Sequence, residues 1–109
     1  MLLSELDPTF LKWESEKSFR QIDDMAQADG LMFACPKCFA DKENSLIGVH
    51  RCICWQPNIS QETSPKPGRW HFLGTGYSDL TLVAGSSSLQ LNGGCNAHFY
   101  IKNGQILMT

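Results

Sequence analysis

Long apolar runs and catalytic signatures are both missing from this sequence of 109 residues. No apolar run approaches the roughly 18 residues that a membrane-spanning helix needs. The opening stretch MLLSELDPTFLKWESEK has no basic region followed by an apolar one, so we expect no secretory signal and a cytoplasmic protein. The patterns H-E-x-x-H, G-x-S-x-G and Walker A do not occur, and neither does the H-x-E with P-C-x-x-C of zinc deaminases.

An excess of positive charge is missing as well. Nine Lys and Arg residues stand against eleven Asp and Glu residues, for a net charge of −2. This balance lacks the basic footprint of a nucleic-acid-binding domain, so we expect no nucleic-acid partner. An acidic average does not exclude a local basic patch. The alternative is therefore a nucleic-acid binder that acts through Arg51, Lys66, Arg69 and Trp70.

A complete disulfide pairing is also excluded, because five cysteines leave one over. Disulfides are rare in the cytoplasm, and closely spaced cysteines there more often bind metal or do redox work. What the chain has instead is two pairs with one spacing, Cys35-x-x-Cys38 in ACPKCF and Cys95-x-x-His98 in GGCNAHFY. Zinc takes four nitrogen or sulfur ligands in a tetrahedron. We therefore predict one Zn²⁺ ion clamped between two β-turns, with Cys35, Cys38, Cys95 and His98 as its ligands.

Two alternatives remain for these pairs. Cys35 and Cys38 are a redox pair in the first, although such pairs open a helix within a βαβ pattern that the sequence does not show. Cys95 and His98 are unrelated core residues in the second.

The segment SLIGVHRCICWQP contains further candidate ligands. In an extended chain His50, Cys52 and Cys54 share one face, because side chains alternate along a strand. We interpret Cys52 as a small core residue, which is the usual place of a cysteine without a partner. His50 and Cys54 are kept as groups that support the site or replace one of the four predicted ligands.

The pattern of apolar residues predicts a mainly β fold for a single zinc-binding domain, residues 1–109. Short alternating or apolar runs occur at KSFRQI, LMFAC, SLIGVHRCICWQP, RWHFLG, DLTLV and SSLQL. Asn103-Gly104, inside HFYIKNGQILM, is the strongest hairpin signal, because a type I′ turn needs positive φ at both central residues. We expect a small antiparallel β-sandwich or open barrel of roughly six to eight strands.

Helix is predicted only near the N-terminus. Asp7 and Pro8 suit the N-cap and first position of a helix over residues 5–15, and DDMAQADG reads as a helical turn. Residues 1–22 would then form a helix and strand extension of the domain. Residues 57–69 hold three prolines and are predicted to be a flexible loop.

Several stretches in this order resemble a family of small uncharacterised proteins from phages and prophages: GLMFACPKCF, GVHRCICW, PKPGRWHFLGTGYSDLTL, SSSLQLNGGCNAHFYI and NG. The resemblance covers about residues 23–105. It implies a phage gene product with a zinc-knuckle-like site at the four predicted ligands, and its pattern includes His50 and Cys54 but not Cys52. Some members carry an automatic label of "ammonia monooxygenase", which this sequence does not support because it has no copper-binding membrane architecture.

Together these features predict a non-enzymatic, zinc-stabilised binding module. Four protein ligands close a metal against water, and metal binding in a small domain becomes folding free energy. Phage origin points to a host protein as the partner, to an action against a host defence, and to the cytoplasm of a bacterial host. The alternative enzyme is a zinc-dependent hydrolase that uses His50, His71 or Asp79 around an open metal site.

Overall fold

The structure is a computed structural model, and it describes residues 1–60, 62–63, 69–83, 89–90 and 98–108. These residues contain nine strands: β1 (Thr9–Ser15), β2 (Ser18–Ile22), β3 (Gly30–Ala34), β4 (Arg51–Trp55), β5 (His71–Leu73), β6 (Thr81–Val83), β7 (Leu89–Gln90), β8 (His98–Lys102) and β9 (Gln105–Met108). One α-helix, α1 (Pro36–Asp41), and two short 3₁₀-helices, Leu3–Leu6 and Met25–Gln27, complete the described elements. The predicted mainly β fold is confirmed.

The strand pairings among the described residues are antiparallel. They form a four-stranded sheet in the order β2-β1-β3-β4, a two-stranded sheet of β5 and β6, and a three-stranded sheet in the order β7-β8-β9. Over the residues that the structure describes, these sheets are open and do not close into a barrel. No helix in the described ranges is long and apolar enough to cross a membrane.

The N-terminal helix predicted for residues 5–15 is wrong. Only Leu3–Leu6 is helical, and Asp7 ends that turn with a positive φ of 50°. Thr9–Ser15 is β1, which pairs with both β2 and β3. The physical reason is that Phe10 and Leu11 serve opposite faces of the sheet, and only a strand points neighbouring side chains to opposite sides.

Each face of the four-stranded sheet carries its own apolar cluster. On one face Leu31, Phe33, Cys52 and Cys54 pack with residues of β6, β8 and β9 in the main core. On the other face Leu11, Trp55 and Ile59 form a smaller cluster. The alternation predicted along β4 is confirmed, since Cys52 and Cys54 belong to the first cluster and Trp55 to the second.

The C-terminal hairpin is held by its turn and by the chain that packs on it. Asn103 and Gly104 have φ values of 50° and 71°, so the predicted type I′ turn is confirmed. The Gly104 N–H donates to the Leu80 carbonyl at 2.8 Å, and a Cβ on Gly104 would overlap the Ser78 carbonyl oxygen. Glycine is therefore required at this position by conformation and by space.

Candidate metal centre

The Cys35-x-x-Cys38 pair lies where β3 runs into α1. Cys35 is the N-cap of the helix, in an extended conformation, and Pro36 follows at its first position. The fixed φ of proline suits a first helical residue, and the buried Phe39 anchors the helix to the core. The pair therefore opens a short helix, where a β-turn was predicted.

His50 approaches the pair from the facing strand. β3 and β4 pair through Ala34 and Arg51, and the ladder continues one step further, with the Cys35 N–H donating to the His50 carbonyl at 2.9 Å. Antiparallel pairing thus sets residue 50 opposite residue 35, although fourteen residues separate them in sequence. Neither spacing nor alternation along one strand predicts this neighbour.

The donor atoms of Cys35, Cys38 and His50 all lie within 4.8 Å of one another. In a tetrahedral zinc site with Zn–S bonds of about 2.3 Å, neighbouring sulfur atoms are about 3.8 Å apart. The observed spacing is thus of the size that one metal ion bridges. Two thiols and an imidazole are donors that suit zinc and other borderline or soft metals.

The three candidate ligands differ in solvent exposure. Cys35 is fully buried, Cys38 is half-buried and His50 is exposed. A metal bound here would lie at the edge of the main core, with the imidazole on its outer side. The arrangement can bind an ion and tie the end of β3 to the start of β4.

The second predicted pair is only partly placed. Cys95 and the side chain of His98 lie outside the described residues. The His98 backbone opens β8, and the neighbouring Phe99 packs edge-on against Phe33, with 6.0 Å between ring centroids. Phe33 stands two residues before Cys35, so the start of β8 lies over the strand that leads into the candidate site.

The other two cysteines of β4 do not join the group. Cys52 and Cys54 are buried in the main core, opposite Phe33 and Leu31 respectively. Burial raises the pKa of Cys54. Four residues of extended chain place Cys54 about 13 Å from His50 along the strand, so one ion cannot contact both. The interpretation of Cys52 as a core residue agrees with its burial.

Of the three residues suggested for a hydrolase, His50 belongs to the candidate site and the other two lie elsewhere in the described part of the chain. Within the described part of the chain, neither His71 nor Asp79 belongs to the group of potential metal ligands that contains His50. His71 is an exposed residue of β5. The Asp79 carboxylate accepts hydrogen bonds from the backbone N–H groups of Thr75 and Gly76, both at 2.9 Å, and these bonds lower its pKa. Asp79 therefore closes the GTGYSD turn.

The arginines suggested for nucleic-acid binding make internal contacts. Arg51 donates to the Asp7 carbonyl at 2.6 Å and to its carboxylate at 3.3 Å. Arg69 donates to the carbonyls of Ile59, Ser60 and Thr63. Trp70 packs against the main core, and Lys66 lies outside the described residues. Both guanidinium groups thus hold chain segments together.

One feature of the structure supports the redox alternative, and another argues against it. The cysteine pair does open a helix, as redox pairs do. The flanking strands β3 and β4 are antiparallel, however, so this is not the parallel βαβ unit of thioredoxin-like proteins. A histidine beside both sulfur atoms is in addition a donor that a metal site uses.

Comparisons of the chain with models of protein families, with curated proteins and with solved structures find no match.

Proposed function

We propose that this protein is a non-enzymatic, zinc-stabilised binding module. The observation that carries the proposal is the convergence of Cys35, Cys38 and His50, whose donor atoms lie within 4.8 Å of one another. Thiolate and imidazole donors from a short helix and a strand end are a common ligand set for Zn²⁺. The metal would pin α1 to the start of β4.

The fourth ligand is proposed to come from Cys95 or His98. Zinc at a structural site takes four protein ligands, and His50 supplies the third. The contact between Phe33 and Phe99 supports this source, because it brings the start of β8 over the end of β3. The proposed ligands are then Cys35, Cys38, His50 and one of Cys95 and His98. The other member of that last pair is not a ligand.

The partner is proposed to be a protein of a bacterial host, in a phage context. The resemblance to phage and prophage proteins supports the origin. The internal use of Arg51 and Arg69 favours a protein over a nucleic acid as the partner. Action against a host defence belongs to the same proposal.

Metal content tests the proposal first. The purified protein is expected to hold about one zinc per chain by elemental analysis, in line with a single tetrahedral site. His50→Ala should weaken zinc binding by more than about 100-fold, because loss of a group outside the ligand sphere already costs about 10–100-fold. His71→Ala is the matched control, since it removes an exposed histidine outside the group. A chain that binds no zinc, or a His50→Ala variant with unchanged affinity, contradicts the proposal.

A second set of variants identifies the fourth ligand. Cys95→Ser and His98→Ala are each compared with the parent protein in a zinc competition assay. We expect one of them to lose affinity as strongly as His50→Ala does. Cobalt substitution gives an independent count of thiolates, because the sulfur-to-cobalt charge-transfer band grows with each sulfur ligand.

A zinc-dependent hydrolase is the second candidate, and one observation favours it. Three protein ligands with an exposed histidine are the arrangement of a catalytic zinc site, where water takes the fourth position. If Cys95→Ser and His98→Ala both retain zinc at parental affinity, the site is open and this candidate replaces the first. Hydrolysis of activated ester substrates by the zinc-loaded protein, absent from His50→Ala, would then establish it.

A further inference from the structure

We propose that Cys35 and Cys38 are a peroxide-reactive dithiol, and that their oxidation to a disulfide expels the metal and releases the segment between α1 and β4. This inference rests on the proposed metal function and assigns a mode of regulation to the same site. Three observations carry it: the site is exposed to solvent on one side, its two sulfur atoms lie close together, and the other described cysteines are buried.

The site is open to a small oxidant on one side. Cys38 is half-buried and His50 is exposed, whereas Cys35 is fully enclosed. A peroxide molecule therefore meets the Cys38 sulfur first. The sulfur atoms of the pair are within 4.8 Å of each other, so a disulfide of about 2.05 Å requires them to move closer by less than about 3 Å.

The chemistry balances with hydrogen peroxide as the oxidant. The Cys38 thiolate attacks one peroxide oxygen and becomes a sulfenic acid, and hydroxide leaves. The Cys35 thiolate then attacks the Cys38 sulfur, the S–S bond forms and a second hydroxide leaves. Two protons convert the hydroxides to water. The two sulfur atoms have lost two electrons to the peroxide, and the divalent metal departs because a disulfide is not a thiolate ligand.

Burial makes the reaction selective for this pair within the described part of the chain. Cys52 and Cys54 are both enclosed in the main core, and burial also raises the pKa of Cys54, which disfavours the reactive thiolate. Among the described cysteines, oxidation is therefore directed to Cys35 and Cys38.

Metal loss has a structural consequence at the surface. Residues 42–49 connect α1 to the His50 ligand, and they carry Leu46 and Ile47 with exposed fractions of 45% and 86%. Glu43, Asn44 and Gly48 in this segment have positive φ values, a conformation that costs energy for the first two. A metal bound by Cys38 and His50 would fix the chain on both sides of this segment. Its expulsion would free the exposed aliphatic pair to rearrange.

The experiment uses the zinc-loaded full chain and hydrogen peroxide. Zinc release is followed with a chromogenic chelator, and peptide mass spectrometry locates any disulfide. We expect one zinc released for each Cys35–Cys38 disulfide, seen as the loss of two hydrogen atoms from the peptide that contains both. Dithiothreitol and added zinc should then restore the bound metal. Cys52→Ala is the matched control and should respond as the parent protein does.

Three results would overturn the proposal: zinc that stays bound in excess peroxide, release accompanied only by added oxygen on the sulfurs, and a disulfide that includes Cys52, Cys54 or Cys95. Protease sensitivity of residues 42–49 is a second readout, and it should rise on oxidation and fall on reduction with zinc. Zinc that binds normally but ignores peroxide refutes only this inference. A protein that holds no zinc before peroxide refutes the proposed function as well.

Discussion

Replacing Gly30 by alanine tests the tight contact between β3 and β4. Gly30 pairs with Trp55 across the sheet, and a Cβ on Gly30 would lie 2.5 and 2.8 Å from two carbon atoms of the Trp55 ring. The indole is 1% exposed and packs with Leu11 and Ile59. Phe19 also lies edge-on to it, with 5.7 Å between ring centroids, so the added methyl group must displace packed atoms.

Two opposing terms set the size of the effect. Overpacking a core typically costs about 1–3 kcal/mol. Gly→Ala at a position without positive φ recovers about 0.4–1 kcal/mol through the unfolded chain, and Gly30 is such a position. The net loss is expected to be about 1–2 kcal/mol, which corresponds to a fall in Tm of about 5–10 °C in a domain of this size.

Urea unfolding of the zinc-saturated proteins measures this loss. The midpoint should fall while the slope m stays unchanged, because the extent of the unfolded surface is the same. Zinc content should also stay unchanged, since Gly30 lies about 16 Å from Cys35 along the strand. Gly76→Ala is the control, because a Cβ there meets no atom within 4 Å. Equal stability of Gly30→Ala and the parent protein would refute the packing argument.

Three further predictions concern single side chains. Cys52→Ala should keep its zinc and lose roughly 1 kcal/mol of stability by thermal unfolding, as expected for a small core residue; loss of zinc would show that β4 supplies a ligand. As the pH falls, Asp79→Asn should lose less stability than the parent protein does. The measurement is the urea midpoint of each protein as a function of pH. The hydrogen bonds from Thr75 and Gly76 lower the pKa of Asp79, so its contribution is present above the unfolded value of about 3.9 and is lost as pH falls through the lower folded value. Asp41→Asn is the control for that measurement, and equal acid sensitivity of Asp79→Asn and the parent protein would contradict the assignment. Arg69→Ala should cost about 1–2 kcal/mol, because three backbone carbonyls lose a donor; an unchanged urea midpoint would argue against this role.

Local sequence determined the elements whose signals are short-range. The type I′ hairpin at Asn103-Gly104 follows from residues that tolerate positive φ, and the 3₁₀ turn Met25–Gln27 follows from its Asp24 cap, whose carboxylate accepts from the Ala26 N–H. The apolar run before Cys35 predicted β3, and alternation along β4 predicted which of its residues face each cluster. In each case the information lies within a few residues of the element.

Tertiary structure decided the features that depend on distant partners. Thr9–Ser15 carries acceptable helix signals, yet it is a strand because β2 and β3 lie on either side of it and both faces bury its apolar side chains. Arg51 and Arg69 look like free cations in sequence, and only folding brings Asp7 and the carbonyls of the 59–63 segment to them.

The candidate site divides in the same way. The spacing of Cys35 and Cys38 is a local pattern, and it was sufficient to predict that this pair can contribute to a metal site. The placement of His50 beside them is set by the register of β3 against β4. Register arises from the packing of two apolar faces against separate clusters, because a slip of one residue would turn every side chain of β4 to the wrong side. The sequence by itself therefore determined the thiol pair, and the pairing of two strands across a long connection decided which imidazole meets it.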